Sequence, residues 1–185
     1  MNHVGTVFIE TDRLLLRRAT MEDAEAMYLN WTGDNEVTKY LTWPTHASVD
    51  VTKGFIQYLL NCYEDTKQYG WVIELKSLCE PVGMISVVSM NDEVDSVQIG
   101  YCLSHKCWGQ GIMTEALKSV ISFAFNTLGA QRVEARHDTN NPASGAVMRK
   151  CGMVYEGTLR RADRNNQGIC DAAYYSILKN EYSAD

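Results

Sequence analysis

At 185 residues and a net charge of −6, the chain has the length of one domain and an ordinary balance of apolar and charged residues. Its acidic balance excludes the clustered basic surface that nucleic acid binding needs, and no apolar run reaches the roughly 18 residues of a membrane span. Six irregularly spaced cysteines without a Cys-x-x-Cys pair argue against a zinc site or disulfides, so we expect one cytoplasmic domain, residues 1–185, with reduced thiols and no bound metal.

The first half of the chain is predicted to form one strand, two helices and a three-stranded meander. Residues 13–20 are a short apolar run that ends at Thr20, which together with Asp23 is typical of a capping box at a helix start. Apolar positions then recur at helical spacing over 51–63. Three β-rich runs follow, separated by turn-like clusters: 71–75, 82–88 and 97–103.

The loop after the third of these strands carries the most informative motif, HKCWGQGIMTEAL at 105–117. It continues into an apolar stripe that ends at Gly129, so it connects a strand to a helix. Unpaired amides at a helix start bind anions, and Gly109 and Gly111 would let the backbone approach a diphosphate. A Rossmann fingerprint would need a third glycine at Thr114, and a P-loop would need Gly-Lys-Ser/Thr. The alternative is that the two glycines only make a tight turn.

The last third of the chain is predicted to add a strand, a helix and a hairpin. Residues 132–138 are typical of a strand, and 141–152 of a helix with Asn141 at the N-cap and Pro142 at the first position. Two final strands flank the turn at 164–168. The order β α α β β β α β α β β predicts a mixed sheet of seven strands with helices on its faces.

Together these motifs resemble the GNAT superfamily of N-acetyltransferases. The string Lys106-x-x-Gly109-x-Gly111-Ile112 is similar to the acetyl-CoA pyrophosphate loop, with lysine where the family has Arg or Gln. The segments TDRLLLRRATMEDAEAM, IGYCLS and NNPASGAVMRKCGMVYEGTLR look like parts of the ribosomal-protein N-terminal acetyltransferase (RimJ/RimL-like) branch. The resemblance implies a mixed α/β (α+β) fold whose mostly antiparallel sheet splays between strands 4 and 5, with acetyl-CoA as cosubstrate.

The resemblance also implies roles for individual residues. Leu103 would pair its backbone with the pantetheine amides, and Asn141 would contact CoA unless its carboxamide only caps the helix. Ser144 would protonate the leaving thiolate. Asp163 would be the base, directly or through water, although it could equally be a surface charge; Glu156 is a weaker candidate. The pyrophosphate would be held by the charge or backbone groups of Lys106, Cys107, Trp108, Gly109, Gln110, Gly111 and Ile112.

The resemblance implies that the acceptor is a protein N-terminal α-amine, and amine chemistry indicates how strong a base that acceptor needs. An α-amine has a pKa of about 8 and a lysine-type amine about 10.4, so deprotonating the second costs roughly 3 kcal/mol more. A modest base therefore suits a protein N-terminal α-amine, such as that of a ribosomal protein. The alternatives are a polyamine, aminoglycoside or amino sugar, or a CoA-binding module without turnover. The resemblance suggests a homodimer, and it places five aromatic residues beside the acceptor groove: Trp31, Tyr40, Trp43, Tyr58 and Tyr63.

Overall fold

One mixed sheet of eight strands organises the computed structural model, which describes residues 1–183; residues 184 and 185 of the predicted domain lie outside the described residues. The strand order is β1-β2-β3-β4-β5-β6-β8-β7. The strands are β1 (Ile9–Glu10), β2 (Leu14–Arg17), β3 (Gly70–Leu75), β4 (Glu80–Asn91), β5 (Ser96–Leu103), β6 (Arg132–Asp138), β7 (Val154–Asn165) and β8 (Gly168–Leu178).

The fold class is confirmed, but the predicted number of strands, seven, is wrong. The additional strand is β1, whose two residues pair with β2 in the register Ile9–Leu16 and Glu10–Leu15. A strand this short has no alternation of polar and apolar residues that a sequence pattern could reveal. Only its hydrogen bonds to β2 define it.

The helices flank both faces of the sheet. They are α1 (Ala24–Met27), α2 (Asn35–Thr38), α3 (Val49–Cys62), α4 (Ile112–Phe123) and α5 (Pro142–Lys150). The predicted capping box before α1 is confirmed, because the Thr20 N–H donates to the Asp23 carboxylate at 2.7 Å. The four-residue α2 was not predicted. No helix within residues 1–183 combines the length and apolarity that a membrane crossing needs.

Strand β3 shows how the sheet separates two apolar layers. Its side chains alternate: Trp71 and Ile73 belong to the core under α4 and α5, whereas Val72 belongs to the core under α1 and α3. The predicted stripe of α4 lies in the first core, where four of its residues are at most 1% exposed: Ala116, Leu117, Val120 and Ile121. Each large apolar side chain buried in this way stabilises the fold by roughly 1.5–3 kcal/mol.

The parallel pair β5–β6 is the only interruption in an otherwise antiparallel arrangement of the described strands. Helix α4 makes the crossover that a parallel pair needs. The two strands pair at only three positions: Ser96 with Arg132, Val97 with Val133, and Gln98 with Glu134. Beyond these positions the two strands separate. Since β1 was not predicted, β5 and β6 are the predicted strands 4 and 5, between which the resemblance implied a splay.

Candidate active site

The gap between β5 and β6 opens into a cavity of about 480 Å³. Strand β5 continues to pair with β4 as far as Leu103, and β6 with β8 as far as Asp138, so each strand keeps one partner beside the gap. Backbone groups that face a gap require a partner from elsewhere, and an extended ligand that carries amides can supply one. The polar lining includes Gln98, Arg136, Asp138, Asn141, Ser144 and Asp163.

The segment 104–111, which we call the two-glycine loop, begins where β5 ends. Gly109 and Gly111 both have φ of +74°, a left-handed backbone conformation that residues other than glycine rarely adopt. A Cβ added to Gly109 would meet nothing within 4 Å, so the space beside it is open. Within the part of the chain that the structure describes, the backbone N–H groups of residues 109–111 donate to no other group. These amides lie at the start of α4, where the helix dipole favours an anion.

Trp108 fixes the loop against the end of β5. Its indole Nε1 donates to the Leu103 carbonyl at 2.8 Å, and its ring lies 4.6 Å from that of His105. Leu103 was expected to offer its backbone to pantetheine. Its carbonyl retains one further lone pair for such a partner, since a carbonyl oxygen can accept two hydrogen bonds.

Ser144 lies in the first turn of α5 and forms a pair with Tyr101 of β5. The Ser144 hydroxyl donates to the Tyr101 oxygen at 3.1 Å, and the Tyr101 hydroxyl donates to the Ser144 carbonyl at 3.0 Å. Burial raises the pKa of Tyr101, so this phenol stays neutral. Both side chains line the cavity. The pair therefore holds a hydroxyl group at the gap, where an acid for a thiolate would be needed.

Asp163 also lines the cavity, and the shape of β7 carries it there. The register of β7 against β8 is irregular between Leu159 and Asp163, and Arg161 within that stretch has φ of +53°. Such bulges change the direction of the following side chains. Asp163 then accepts from Arg136 Nε at 2.6 Å.

The contact with Arg136 determines how basic Asp163 is. Burial by itself would raise the pKa of Asp163, but hydrogen bonds from Arg136 and from the Arg164 amide outweigh it, so the pKa lies below its usual value. Arg136 is held in turn by a short hydrogen bond to Gln98 on β5. Asp163 is therefore a charged but weak base.

Asn141 keeps its side chain available for a ligand. It occupies the N-cap position of α5, but its carboxamide makes no capping hydrogen bond, and it lines the cavity. The predicted capping role is therefore wrong for the side chain. The adjacent strand end is fixed by Asp138 instead, whose carboxylate accepts from the Asn140 amide at 2.8 Å and from Asn165 Nδ2 at 2.7 Å.

Glu156 lies away from the cavity lining. Its carboxylate accepts from both terminal nitrogens of Arg132, at 2.7 and 2.5 Å, and from Ser176 at 2.7 Å. The hydrogen bonds from Arg132 lower its pKa to about 2. Glu156 is therefore an ion-paired side chain that does not line the cavity.

One side of the cavity is lined by aromatic side chains. They are the five that the resemblance implied, together with Phe55, which it did not: Trp31, Tyr40, Trp43, Tyr58, Tyr63 and Phe55. The segment that carries Tyr40 and Trp43 is held by the tip of the β7–β8 hairpin. There the Asn166 carboxamide donates to the carbonyls of Thr38 and Trp43, both at 2.8 Å. Sequence reasoning missed Asn166, because its partners are more than 120 residues away.

Two further lining residues escaped the sequence reasoning. Tyr101 stands on β5, and Arg136 stands on β6, where burial largely alternates and the polar side carries Arg132, Glu134 and Arg136. That alternation was a usable signal for side chains facing away from the core. As for metals, no group of three His, Cys, Asp or Glu side chains within residues 1–183 is arranged to hold an ion.

Comparison with known proteins agrees with this geometry. Residues 13–154 match the family described as "Acetyltransferase (GNAT) domain". "Uncharacterized N-acetyltransferase YoaA" of Bacillus subtilis is 33% identical over 171 residues, which cover 92% of this chain and 96% of that protein. "Ribosomal-protein-serine acetyltransferase" of Escherichia coli is 24% identical over 177 residues, 86% of this chain and 96% of that protein.

A solved structure has the same fold. It is titled as RimL, a ribosomal L7/L12 α-N-protein acetyltransferase, in complex with coenzyme A. It superposes with a TM-score of 0.81 at 22% identity and covers 93% of this chain and 98% of its own. The chain therefore belongs to the GNAT family and is an acetyl-CoA-dependent N-acetyltransferase.

Proposed function

We propose that acetyl-CoA lies across the two-glycine loop and along the gap between β5 and β6, and that the acceptor is a protein N-terminal α-amine. In this arrangement the backbone amides of residues 109–112 bind the diphosphate, since those of Cys107 and Trp108 already donate to the Ser104 and His105 carbonyls, and Lys106 adds positive charge. The pantetheine arm pairs with Leu103 and with the unpaired edge of β6, and Asn141 contacts it from α5. The free amides beside two left-handed glycines support this placement.

The residues around the gap supply the acid and the base of the transfer. Asp163 accepts a proton from the acceptor ammonium through a water molecule, and the neutral amine attacks the thioester carbonyl. Ser144 donates its hydroxyl proton to the departing thiolate and regains a proton from the nitrogen of the newly formed amide, with Tyr101 holding the serine in place. Transfer is direct within a ternary complex, so no acyl-enzyme forms.

The 2.6 Å ion pair of Asp163 with Arg136 is the observation that carries the choice of acceptor, because it favours the charged carboxylate and makes it a weaker base. An α-amine, with a pKa of about 8, is already partly neutral at physiological pH, whereas a lysine-type amine or a polyamine needs a stronger base. The charge of the cavity agrees, since its described lining contains two carboxylates, Asp138 and Asp163, and one guanidinium, Arg136. A single net negative charge suits one ammonium better than the several of a polyamine.

The similarity to a ribosomal-protein-serine acetyltransferase supports the narrower version of this proposal, in which the acceptor is a ribosomal protein of the kind that the RimJ/RimL-like branch modifies. We also place the enzyme in the cytoplasm, where thiols like its six free cysteines stay reduced. We keep a homodimer as an expectation, which sedimentation of the purified chain would test.

The experiment is a panel of acceptors with acetyl-CoA, read by mass spectrometry of the products. Peptides with free N-termini beginning with Ser, Ala or Met would be compared with spermidine, an aminoglycoside and glucosamine, and with N-terminally blocked peptides that contain lysine. We expect acetylation at the α-amine of the free peptides alone. Acetylation of spermidine or an amino sugar with every peptide untouched would refute the proposed acceptor.

A further inference from the structure

The peptide bond between Gln110 and Gly111, in the middle of the two-glycine loop, is held from one side by a distant residue. Arg13 Nη1 donates to the Gln110 carbonyl at 2.9 Å. A planar trans peptide points its C=O and its N–H in opposite directions. The contact with Arg13 therefore aims the Gly111 N–H away from Arg13. That N–H donates to no group within the described residues, so it remains free for a ligand oxygen.

Arg13 is itself fixed by a carboxylate in the first turn of α4. Glu115 accepts from Arg13 Nε at 2.6 Å, from the Arg13 amide at 3.0 Å and from the Thr11 hydroxyl at 2.6 Å. Burial by itself would raise the pKa of Glu115, but these hydrogen bonds outweigh it and lower the pKa, so the carboxylate is charged at neutral pH. We call the set Thr11, Arg13 and Glu115 the loop brace.

The loop brace also determines the charge next to the glycines. Arg13 Nη2 lies 3.6 Å from the position that a Cβ on Gly111 would occupy. Without this guanidinium, the Glu115 carboxylate at the start of α4 would repel an anionic ligand at the same helix end. The ion pair removes that repulsion and leaves the helix dipole and the amides to attract the ligand.

We propose that Arg13 is a positioning residue for acetyl-CoA, which through Glu115 and the Gln110 carbonyl preorganises the Gly111 amide to receive the diphosphate. This inference rests on the proposed function, in which the loop binds that diphosphate. Arg13 immediately precedes β2 and does not line the cavity beside the gap. In the proposed arrangement it therefore contacts neither the thioester nor the amine. Its effect is therefore confined to donors that carry a diphosphate.

The competing explanation is that the brace is an ordinary surface ion pair, which contributes little more than stability. Two acetyl donors separate these explanations. Acetyl-CoA carries the diphosphate, whereas acetyl-pantetheine carries the same thioester without it. The matched control is Lys67→Ala, which removes a comparably exposed cation from its 2.7 Å ion pair with Asp92 at the opposite end of the β4–β5 pair from the loop.

With a reactive peptide as acceptor, Arg13→Ala should raise KM for acetyl-CoA about tenfold, the equivalent of losing one charge-assisted hydrogen bond, and leave kcat within about twofold. Its kcat/KM with acetyl-pantetheine should equal that of wild type. Arg13→Lys should recover part of the loss. An ammonium keeps the charge, but it has only one nitrogen and cannot donate to Glu115 and to the Gln110 carbonyl in the geometry of a guanidinium. Lys67→Ala should match wild type with both donors.

Two outcomes would overturn the proposal: an unchanged KM for acetyl-CoA in Arg13→Ala, or an equal loss with both donors. Titration of Gly109→Val with CoA distinguishes this failure from failure of the underlying site. If Gly109→Val binds CoA like wild type, the proposed diphosphate loop is wrong. If Gly109→Val loses binding while Arg13→Ala keeps it, only the role of the loop brace is refuted.

Discussion

The two-glycine loop and the aromatic groove, to which we assign the two substrates of one reaction, are built differently. The loop offers backbone amides from consecutive residues, 109–112, whose conformation depends on two glycines with positive φ. The groove offers side chains from widely separated segments, including the segment before α3, the strands β5 and β6, and the bulged strand β7. Recognition by backbone groups tolerates changes in most side chains, whereas recognition by side chains changes with every substitution. We therefore expect side-chain substitutions in the groove to alter acceptor choice more than side-chain substitutions in the loop alter CoA binding.

The strongest test of the loop is Gly109→Val. We expect CoA to bind at least about 100-fold more weakly by calorimetry, because a left-handed residue with a side chain costs roughly 1–2 kcal/mol and the valine would fill the space left for the diphosphate. Gly129→Val is the matched control, since Gly129 has φ of +81° with open space beside it but lies at the far end of the α4 segment. It should lower the melting temperature similarly and leave CoA binding intact. Equal affinities in wild type and Gly109→Val would contradict the loop assignment.

On the catalytic side of the comparison, Ser144→Ala should lower kcat by about 100-fold, the usual contribution of a positioned acid. The KM for acetyl-CoA should change little, since the loop is untouched. Ser119→Ala, which removes a hydroxyl bonded only to the Ala116 carbonyl on α4, is the control in steady-state kinetics. Wild-type turnover in Ser144→Ala would remove this residue from the mechanism.

Asp163→Asn should have a smaller effect, with kcat lowered about tenfold and KM for acetyl-CoA unchanged. The asparagine keeps the size of the side chain and can still accept from Arg136, so the change removes basicity with little rearrangement. The loss should shrink as the pH rises above about 8, where an α-amine deprotonates without help. A loss that is constant across the pH profile would argue against a base at this position.

Asn166→Ala tests whether the groove recognises the acceptor independently of the loop. Losing the two hydrogen bonds to the Thr38 and Trp43 carbonyls should loosen the segment that carries Tyr40 and Trp43. We expect the KM for the peptide to rise about fivefold, with the KM for acetyl-CoA unchanged, as for a net loss of about 1 kcal/mol. Gln57→Ala on the exposed face of α3 is the control. Parallel changes in both Michaelis constants would show that groove and loop are coupled.

Glu156→Gln should have the smallest effect, since it lies outside both regions. Because the folded-state pKa of Glu156 is about 2, below the ordinary 4.5, its ion pair with Arg132 stabilises the fold fully above pH 4.5 and is lost as the pH falls towards 2. We expect the melting temperature at pH 7 to fall by about 1–3 °C, the range for a partly exposed pair, and the difference to vanish near pH 2. A large fall in kcat would instead restore Glu156 as a candidate base.

Sequence patterns were most informative where one local rule decided the outcome. The α4 stripe, the capping box of Thr20 with Asp23 and the meander of β3 to β5 all follow from short-range periodicity and capping. The two-residue β1 and the four-residue α2 escaped, because neither is long enough to show a period. For Asn141 the sequence left two roles open, since the same residue type serves as a cap or as a ligand contact, and the structure shows only that its side chain makes no capping hydrogen bond.

By itself, the sequence determined the order of the elements other than β1 and α2, the strand-to-helix position of the loop and the need for glycine at 109 and 111, because these depend on residues that are neighbours along the chain. Only the tertiary structure decided that Arg136 weakens Asp163 as a base, that Tyr101 holds Ser144, and that Arg13 supports the Gln110 carbonyl. Each of these contacts joins residues that are 27 to 97 positions apart. Such pairs meet only when the sheet has formed, so no local pattern encodes them.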